Sequence, residues 1–329
     1  MAIRTYVLVP GGVYKYCMAD PIPPSRLALP PPTIPETNAR ATRFITRRSH
    51  TYRRGYIMEI AFTKLQGNGN DFILIDEHNG EVIPEEMKGA FAALFCDRRF
   101  GIGADGILFL QASEAAEIRM RLFQPDESEA AMCGNGIRCL AKYAYDAGYV
   151  KESCSVETGA GIVQVSAGYA DDEFTATITM PEPAFERNGI PAVGNGEYRE
   201  EIRGFTVYAA NTGVPHAVVF VKEIGAVEIG IVGPAIRNHP TFPEGANVNF
   251  VEEAGNDTIR IRTFERGVED ETESCGTGAT ASAAVAHHLG KVGDTVLVET
   301  KGGPLVIRFG EAVTMEGPAE TVFTGVIPF

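Results

Sequence analysis

The 329-residue sequence has no apolar run approaching the roughly 18 residues that a membrane-spanning helix needs. Positive charge is also scarce: 29 Lys and Arg stand against 43 Asp and Glu, a net −14, which argues against nucleic acid and anionic membranes as partners. Six cysteines, at 17, 96, 133, 139, 154 and 275, are too sparse for a disulfide scaffold. No Cys-x-x-Cys and no histidine cluster occurs, so no structural metal is expected. The glycine loops lack the G-x-x-x-x-G-K-[ST] phosphate cradle and a G-x-G-x-x-G following a strand, so no feature suggests a cofactor. What remains is a cytoplasmic protein with free thiols.

Residues 1–57 differ from the rest. They hold nine Lys and Arg against two Asp and Glu, a local +7 that leaves −21 on the remainder, together with 8 of the 20 prolines. Such a composition resists a packed core. It fits an Arg-rich targeting segment, or, with no amphipathic helix evident, an overextended start ahead of Met58.

The body carries an internal duplication. Cys133-Gly-Asn-Gly136 is answered by Cys275-Gly-Thr-Gly278, Ile118-Arg-Met-Arg-Leu-Phe123 by Ile259-Arg-Ile-Arg-Thr-Phe264, Phe100-Gly-Ile-Gly-Ala-Asp105 by Phe242-Pro-Glu-Gly-Ala-Asn247, and Val156-Glu-Thr158 by Val298-Glu-Thr300. Four segments in one order, at offsets of 141 or 142, predict two copies of one fold. Copies packed face to face would confront the two thiols across a cleft.

Residues 59–75 read as strand, turn and strand, with the turn at 66–71 built of residues that tolerate positive φ. Residues 85–96 have helical spacing, with Met87, Ala90, Phe91 and Leu94 on one face, and 107–110 and 118–123 read as strands. A helix follows Cys133 as far as Tyr145, with Gly148 as its stop. Residues 279–289 form a second helix whose side chains are small on every side, which predicts burial all round. Many strands and one or two helices per copy make the fold α+β, with two pseudo-symmetric domains, each a curved, mostly antiparallel sheet around a central helix. The expected division is 1–57, then 58–179 with 318–329, then 180–317.

Both glycine-flanked cysteines precede a helix start, where unpaired backbone N–H groups and the helix dipole favour an anion. Two such termini converging on one point could grip an α-carboxylate and stabilise the charge left when an α-proton departs. A lone Cys-Gly-x-Gly is usually a buried cysteine beside a turn; matched copies favour function. Cys139, Cys96 and Cys154 read as core or surface thiols. His216 fits a core histidine or a support for a cysteine, Glu265-Arg266 a solvated ion pair or a carboxylate clamp. Asn70 and Asn247 fit turn residues or amide contacts to a zwitterion.

These motifs resemble diaminopimelate epimerases. The likeness covers 58–329 and rests on Gly67-Asn-Gly-Asn-Asp-Phe72, Gly101-Ile-Gly-Ala-Asp-Gly106, Ser128-Glu-Ala-Ala-Met-Cys-Gly-Asn-Gly-Ile-Arg-Cys139, Pro243-Glu-Gly-Ala-Asn247, Glu265-Arg-Gly267 and Glu273-Ser-Cys-Gly-Thr-Gly-Ala279. It implies cofactor-free interconversion of LL- and meso-diaminopimelate in lysine biosynthesis, with Cys133 and Cys275 as the acid–base pair. It implies that Gly134, Asn135, Gly276 and Thr277 bind the reacting carboxylate. Asn70, Gln124, Asn247, Glu265 and Arg266 would hold the rest of the substrate, and His216 and Glu265 would tune the thiols. It also makes a homodimer plausible.

The sequence departs from the family's pattern at Gln124, where an asparagine is usual, at Glu127 in place of a turn glycine, at Val214 in place of an asparagine, and at Gly106, where some members have Gln. These changes gather at the distal end of the substrate and spare the cysteines. Two other readings stay open: a two-thiol racemase of another amino acid, of the histidine or proline type, and a non-catalytic amino-acid-binding protein on the same fold. The proline group usually has Cys-Gly-His-Gly, which this sequence lacks.

Overall fold

The structure, a computed structural model, describes Arg4–Val9, Gly12–Cys17 and residues 59–328. Arg4–Val9 (β1) and Gly12–Cys17 (β2) pair antiparallel. The rest of the 1–57 extension, and with it the expectation that it lacks a core, lies outside the described residues. Residues 61–325 form one compact unit.

The first copy runs Glu59–Gly67 (β3), Asn70–Glu77 (β4), a 3₁₀ turn at Glu85–Met87, Lys88–Phe95 (α1), Gly106–Gln111 (β5), Ile118–Phe123 (β6) and Glu129–Ala130 (β7). Gly134–Asp146 (α2) follows, then Ser153–Thr158 (β8), Gly161–Ala170 (β9) and Glu173–Thr179 (β10). After Arg199–Ile202 (β11), the second copy runs Phe205–Asn211 (β12), Pro215–Phe220 (β13), Ile229–Arg237 (α3), Asn247–Gly255 (β14), Thr258–Glu265 (β15) and Asp270–Thr272 (β16). Gly276–His288 (α4) leads to Thr295–Thr300 (β17), Gly303–Arg308 (β18) and Thr314–Pro318 (β19), and Glu320–Pro328 (β20) ends the chain's described part.

The pairings repeat with the elements. In the first copy β3–β4 is antiparallel, β4–β5 parallel, β5–β6 and β6–β7 antiparallel, β6–β8 parallel, β8–β9 and β9–β10 antiparallel. In the second, β12–β13 is antiparallel, β13–β14 parallel, β14–β15 and β15–β16 antiparallel, β15–β17 parallel, β17–β18 and β18–β19 antiparallel. The fold is therefore a sheet-rich α+β structure found twice, with β10 and β19 joining the copies antiparallel. Phe323 of β20 meets Phe62 of β3 edge-on at 5.9 Å, so the last strand returns to the first copy.

Each central helix is held by burial. Ile137, Leu140, Ala141 and Ala144 of α2 and Ala279, Ala281, Ala283 and Val285 of α4 enter one apolar core, and each large aliphatic side chain buried contributes about 1.5–3 kcal/mol. Both helices end alike: Gly148 (φ 76°) and Gly290 (φ 68°) take the left-handed conformation that a glycine adopts without a Cβ clash. The second helix starts at Gly276, one turn before the residue expected from composition, because its Gly-Thr-Gly forms the first turn. Along α1 the buried face is Lys88, Phe91, Ala92 and Phe95, rotated from the expected one. Glu77 draws the Lys88 ammonium inside, at 2.9 Å.

Candidate active site

The sulfurs occupy equivalent places in the two copies. Cys133 is the N-cap of α2 (φ −147°, ψ 117°) and Cys275 the N-cap of α4 (φ −125°, ψ 107°). Glycine comes first in each helix for a steric reason. A Cβ on Gly134 would lie 2.7 Å from Met315 Cε, and one on Gly276 2.9 Å from the same atom. Both helix starts thus press on one buried methionine of β19. Asn135 reaches across, its amide nitrogen 3.5 Å from Ser274 O.

Burial raises the pKa of both thiols, and the Glu265 carboxylate raises both further. The backbone amides of Gly136 and Asn135 pull Cys133 back down, and the Thr277 hydroxyl and the Gly278 amide do so for Cys275. Burial also raises Glu265, while the Thr272 hydroxyl, donating to its Oε2 at 2.9 Å, opposes that shift. Glu265 thus interacts electrostatically with both sulfurs, and burial raises its own pKa.

The side-chain partners of the sulfurs differ. Cys133 Sγ lies 3.6 Å from Asn70 Oδ1, which also accepts from Asn135 Nδ2 at 3.3 Å. The Asn70 amide is oriented by Asp105, whose Oδ2 accepts from Asn70 Nδ2 at 2.6 Å, and Asp105 is held by Arg98 at 2.6 Å. Cys275 Sγ lies 3.4 Å from Thr277 Oγ1, and Thr277 Oγ1 is 2.9 Å from His216 Nε2. His216 is fully enclosed, and burial first, then the Arg266 charge, push its pKa down to about 3. It is a neutral imidazole at physiological pH.

The remaining sequence candidates are placed as follows. Asn247 ties two backbones together, donating to Pro215 O at 3.2 Å and accepting from Arg266 N at 2.8 Å. The Arg266 guanidinium donates to Glu244 O and Gly245 O at 3.1 and 3.3 Å. Gln124 sits exposed in the β6–β7 turn, its Oε1 3.0 Å from the Ser128 hydroxyl, which also lies 2.5 Å from Asp126 Oδ1. Val214 follows Gly213 in the turn before β13.

Several residues escaped the sequence reading. Arg138, fully buried in α2, donates to Asn68 Oδ1 at 2.6 Å, Asn135 Oδ1 at 2.9 Å and Pro318 O at 3.2 Å. It thereby turns the Asn135 NH₂ toward Asn70 and Ser274. Burial lowers its pKa to about 10. Asn249 and Thr263 lie beneath His216, buried in the strands β14 and β15. The available signal was the repeat offset of 141, which sets Asn249 and Thr263 against Leu108 and Leu122. Among the described residues no group of His, Cys, Asp and Glu is placed to hold a metal ion.

The family profile described as diaminopimelate epimerase matches residues 62–184 and 208–322. The diaminopimelate epimerase of Methanothrix thermoacetophila is 57% identical over 271 residues, covering 82% of this chain and 96% of that protein. Those of Methanocella arvoryzae and Archaeoglobus fulgidus are 52% and 49% identical, each over 82% of this chain and 97% of the relative. Among solved structures, a PhzF-family phenazine biosynthesis protein of Bacillus anthracis superposes with TM-score 0.62 at 18% identity, covering 82% of this chain and 99% of that one. A probable proline racemase of Agrobacterium radiobacter superposes with TM-score 0.59 at 18% identity, over 82% and 92% of the two chains. At that identity the two structures speak to the fold alone.

Proposed function

This chain belongs to the diaminopimelate epimerase family, and from that premise we propose that it interconverts LL- and meso-2,6-diaminopimelate with Cys133 and Cys275 as the two acid–base groups. It is an isomerase of the amino-acid epimerase class, and lysine biosynthesis is the role that follows. The observation that carries the assignment of the cysteines is the packing of both helix starts, Gly134 and Gly276, on the single side chain of Met315. In this reading the two thiols borne by those starts face one small volume from opposite sides.

In this reading the backbone N–H groups at the start of α2 and α4, on Gly134, Asn135, Gly276 and Thr277, hold the reacting α-carboxylate. One sulfur, as thiolate, removes the α-proton and becomes a thiol. The electron pair left on the α-carbon spreads into the carboxylate, where the N–H groups of both helices stabilise it. The opposite thiol then delivers its proton to the other face and becomes the thiolate, so no net proton is gained or lost. Both sulfurs are biased toward the thiol in the free chain. Glu265, raised by burial and coupled to both, takes the proton that one of them loses, and the substrate's α-ammonium stabilises the resulting thiolate. His216 stays neutral and acts by hydrogen bonding.

Arg266, Asn247, Asn70 and Gln124 form the substrate's remaining contacts in this reading, with Arg266 directed to the distal carboxylate. The division at 58–179 with 318–329 against 180–317 gives each half one of the two acid–base cysteines. The family resemblance supports a homodimer and a cytoplasmic location, and light scattering of the purified chain checks the former. No helix among the described residues is long and apolar enough to cross a membrane.

The test is α-proton exchange in deuterium oxide, without added cofactor, under reducing conditions. LL-diaminopimelate is expected to gain deuterium at one α-carbon and convert to the meso form. Exchange confined to a histidine- or proline-type substrate would move the specificity, and no exchange from folded, reduced protein would leave a binding protein.

A further inference from the structure

The two copies support their cysteines with different chemistry, and one part of the difference lies at three matched positions. A Cβ on Gly136 would lie 3.3 Å from Leu108 Cδ2 and 3.6 Å from Phe72 Cζ. A Cβ on the matching Gly278 would lie 2.4 Å from Asn249 Oδ1 and 3.3 Å from His216 Cε1. Phe72, Leu108 and Leu122 of the first copy therefore stand where His216, Asn249 and Thr263 stand in the second. All six are buried. The first copy shows that this scaffold closes over apolar side chains at these places. Three polar ones in the second carry a desolvation cost and must be hydrogen-bonded to persist.

Their bonds have a direction. Ala217 O can only accept, so the Asn249 group 3.1 Å from it is the NH₂ end. Thr263 Oγ1, 2.9 Å from Asn249 Oδ1, donates to the other end and agrees with that orientation. The same NH₂ lies 3.1 Å from His216 Nδ1. Nδ1 must then offer its lone pair, and in a neutral ring the proton sits on Nε2. Nε2–H donates to Thr277 Oγ1 at 2.9 Å, which frees the Thr277 hydroxyl proton for Cys275 Sγ at 3.4 Å.

We propose that Asn249 is a positioning residue that fixes His216 as the Nε2–H tautomer and so makes Thr277 a hydrogen-bond donor to the Cys275 sulfur. The chain Thr263–Asn249–His216–Thr277 favours the thiolate of Cys275 through hydrogen bonding, without itself exchanging a proton with substrate. Cys133 faces the opposite polarity, because Asn70 Oδ1 only accepts. Its consequence for rate rests on the two-cysteine reaction assigned above; the tautomer does not.

The experiment is nitrogen-15 NMR of the full chain labelled at histidine, with the His216 signals identified by their loss in His216→Phe. The unmodified chain is expected to show a protonated Nε2 and a bare Nδ1 throughout the neutral range. Asn249→Asp, which presents an acceptor in place of the NH₂, is expected to move the proton to Nδ1. Its kcat is expected to fall roughly tenfold with KM held within about twofold, the scale of one misdirected hydrogen bond acting in the chemical step. In a Thr277→Val background the same change is expected to add no further loss, because the chain is already cut. A proton on Nδ1 in the unmodified chain, or a tautomer unmoved by Asn249→Asp, overturns the proposal. Since the spectra need no substrate, inactivity of the unmodified chain toward diaminopimelate would strike the assigned reaction and leave the tautomer result standing.

Discussion

The half built around Cys133 and the half built around Cys275 share the same succession of seven strand pairings and differ in what lies beneath the sulfur. Under Cys133 the floor is Phe72, Leu108 and Leu122, and a buried cation, Arg138, crosses to Asn68 and Pro318. Under Cys275 the floor is the hydrogen-bonded His216, Asn249 and Thr263, and Arg138's counterpart is Thr280, whose hydroxyl donates to Gly276 O at 2.9 Å. The lesson is a division of labour. Backbone alone supplies the helix start and its dipole, so both halves keep it unchanged. Side chains decide which partner each sulfur meets, so they were free to diverge.

The comparison breaks most sharply at the sulfurs. Cys133→Ala and Cys275→Ala are each expected to lower LL-to-meso conversion by about 10⁴-fold or more, since each removes one proton-transfer group outright. Either variant turning over at the full rate would show that one half suffices. Arg138→Met comes next. It strands Asn68 Oδ1, Asn135 Oδ1 and Pro318 O without their donor, and is expected to cost about 3 kcal/mol in urea unfolding. Thr280→Ala, its counterpart, is expected to cost about 1 kcal/mol.

His216→Phe copies the first half's floor into the second, and pH reads its effect. The folded-state pKa near 3 lies below the ordinary 6.5. The unfolded chain thus takes up a proton at His216 as pH falls below 6.5 while the folded chain does not, and stability drains away between pH 6.5 and 3. At pH 5 the loss is about 2 kcal/mol, and His216→Phe is expected to abolish that portion of the acid sensitivity. The smallest effect separates two turns. Glu127 (φ 71°) and Glu269 (φ 59°) hold the same left-handed position in the two copies. Glu269 is compensated by Arg237 at 2.8 Å and by Gly267 N–H at 3.0 Å. Glu127→Gly is therefore expected to raise stability by about 1 kcal/mol and Glu269→Gly to lower it, measured by thermal melts.

Much of this was legible before any coordinates. The repeat offset located both cysteines, the strand Ile118–Phe123 came out with its own ends, and the small residues of α4 announced a helix buried on all sides. The start of α4 was missed because glycine is a poor helix former in a helix interior, a penalty that matters little in the first turn, where the N–H groups are unpaired anyway. Helix α3 escaped notice because Pro234 and its glycines mask the pattern. The polar floor of the second half was hidden for another reason. An asparagine or threonine in a strand reads the same whether it faces water or a histidine, and only the fold tells which.

Met315 has one further consequence. A single unbranched thioether touches both helix starts, so it gauges the gap between the two halves. Oxidising its sulfur would add an oxygen where no room exists, because Met315 is fully enclosed and lies against both glycines. The damage would fall on both directions of turnover alike, unlike any lesion beneath one cysteine. Wear of this enzyme under oxidative stress would then have two separable signatures: thiol loss, which reductant can reverse in its early stages, and a widened gauge, which only a sulfoxide reductase restores.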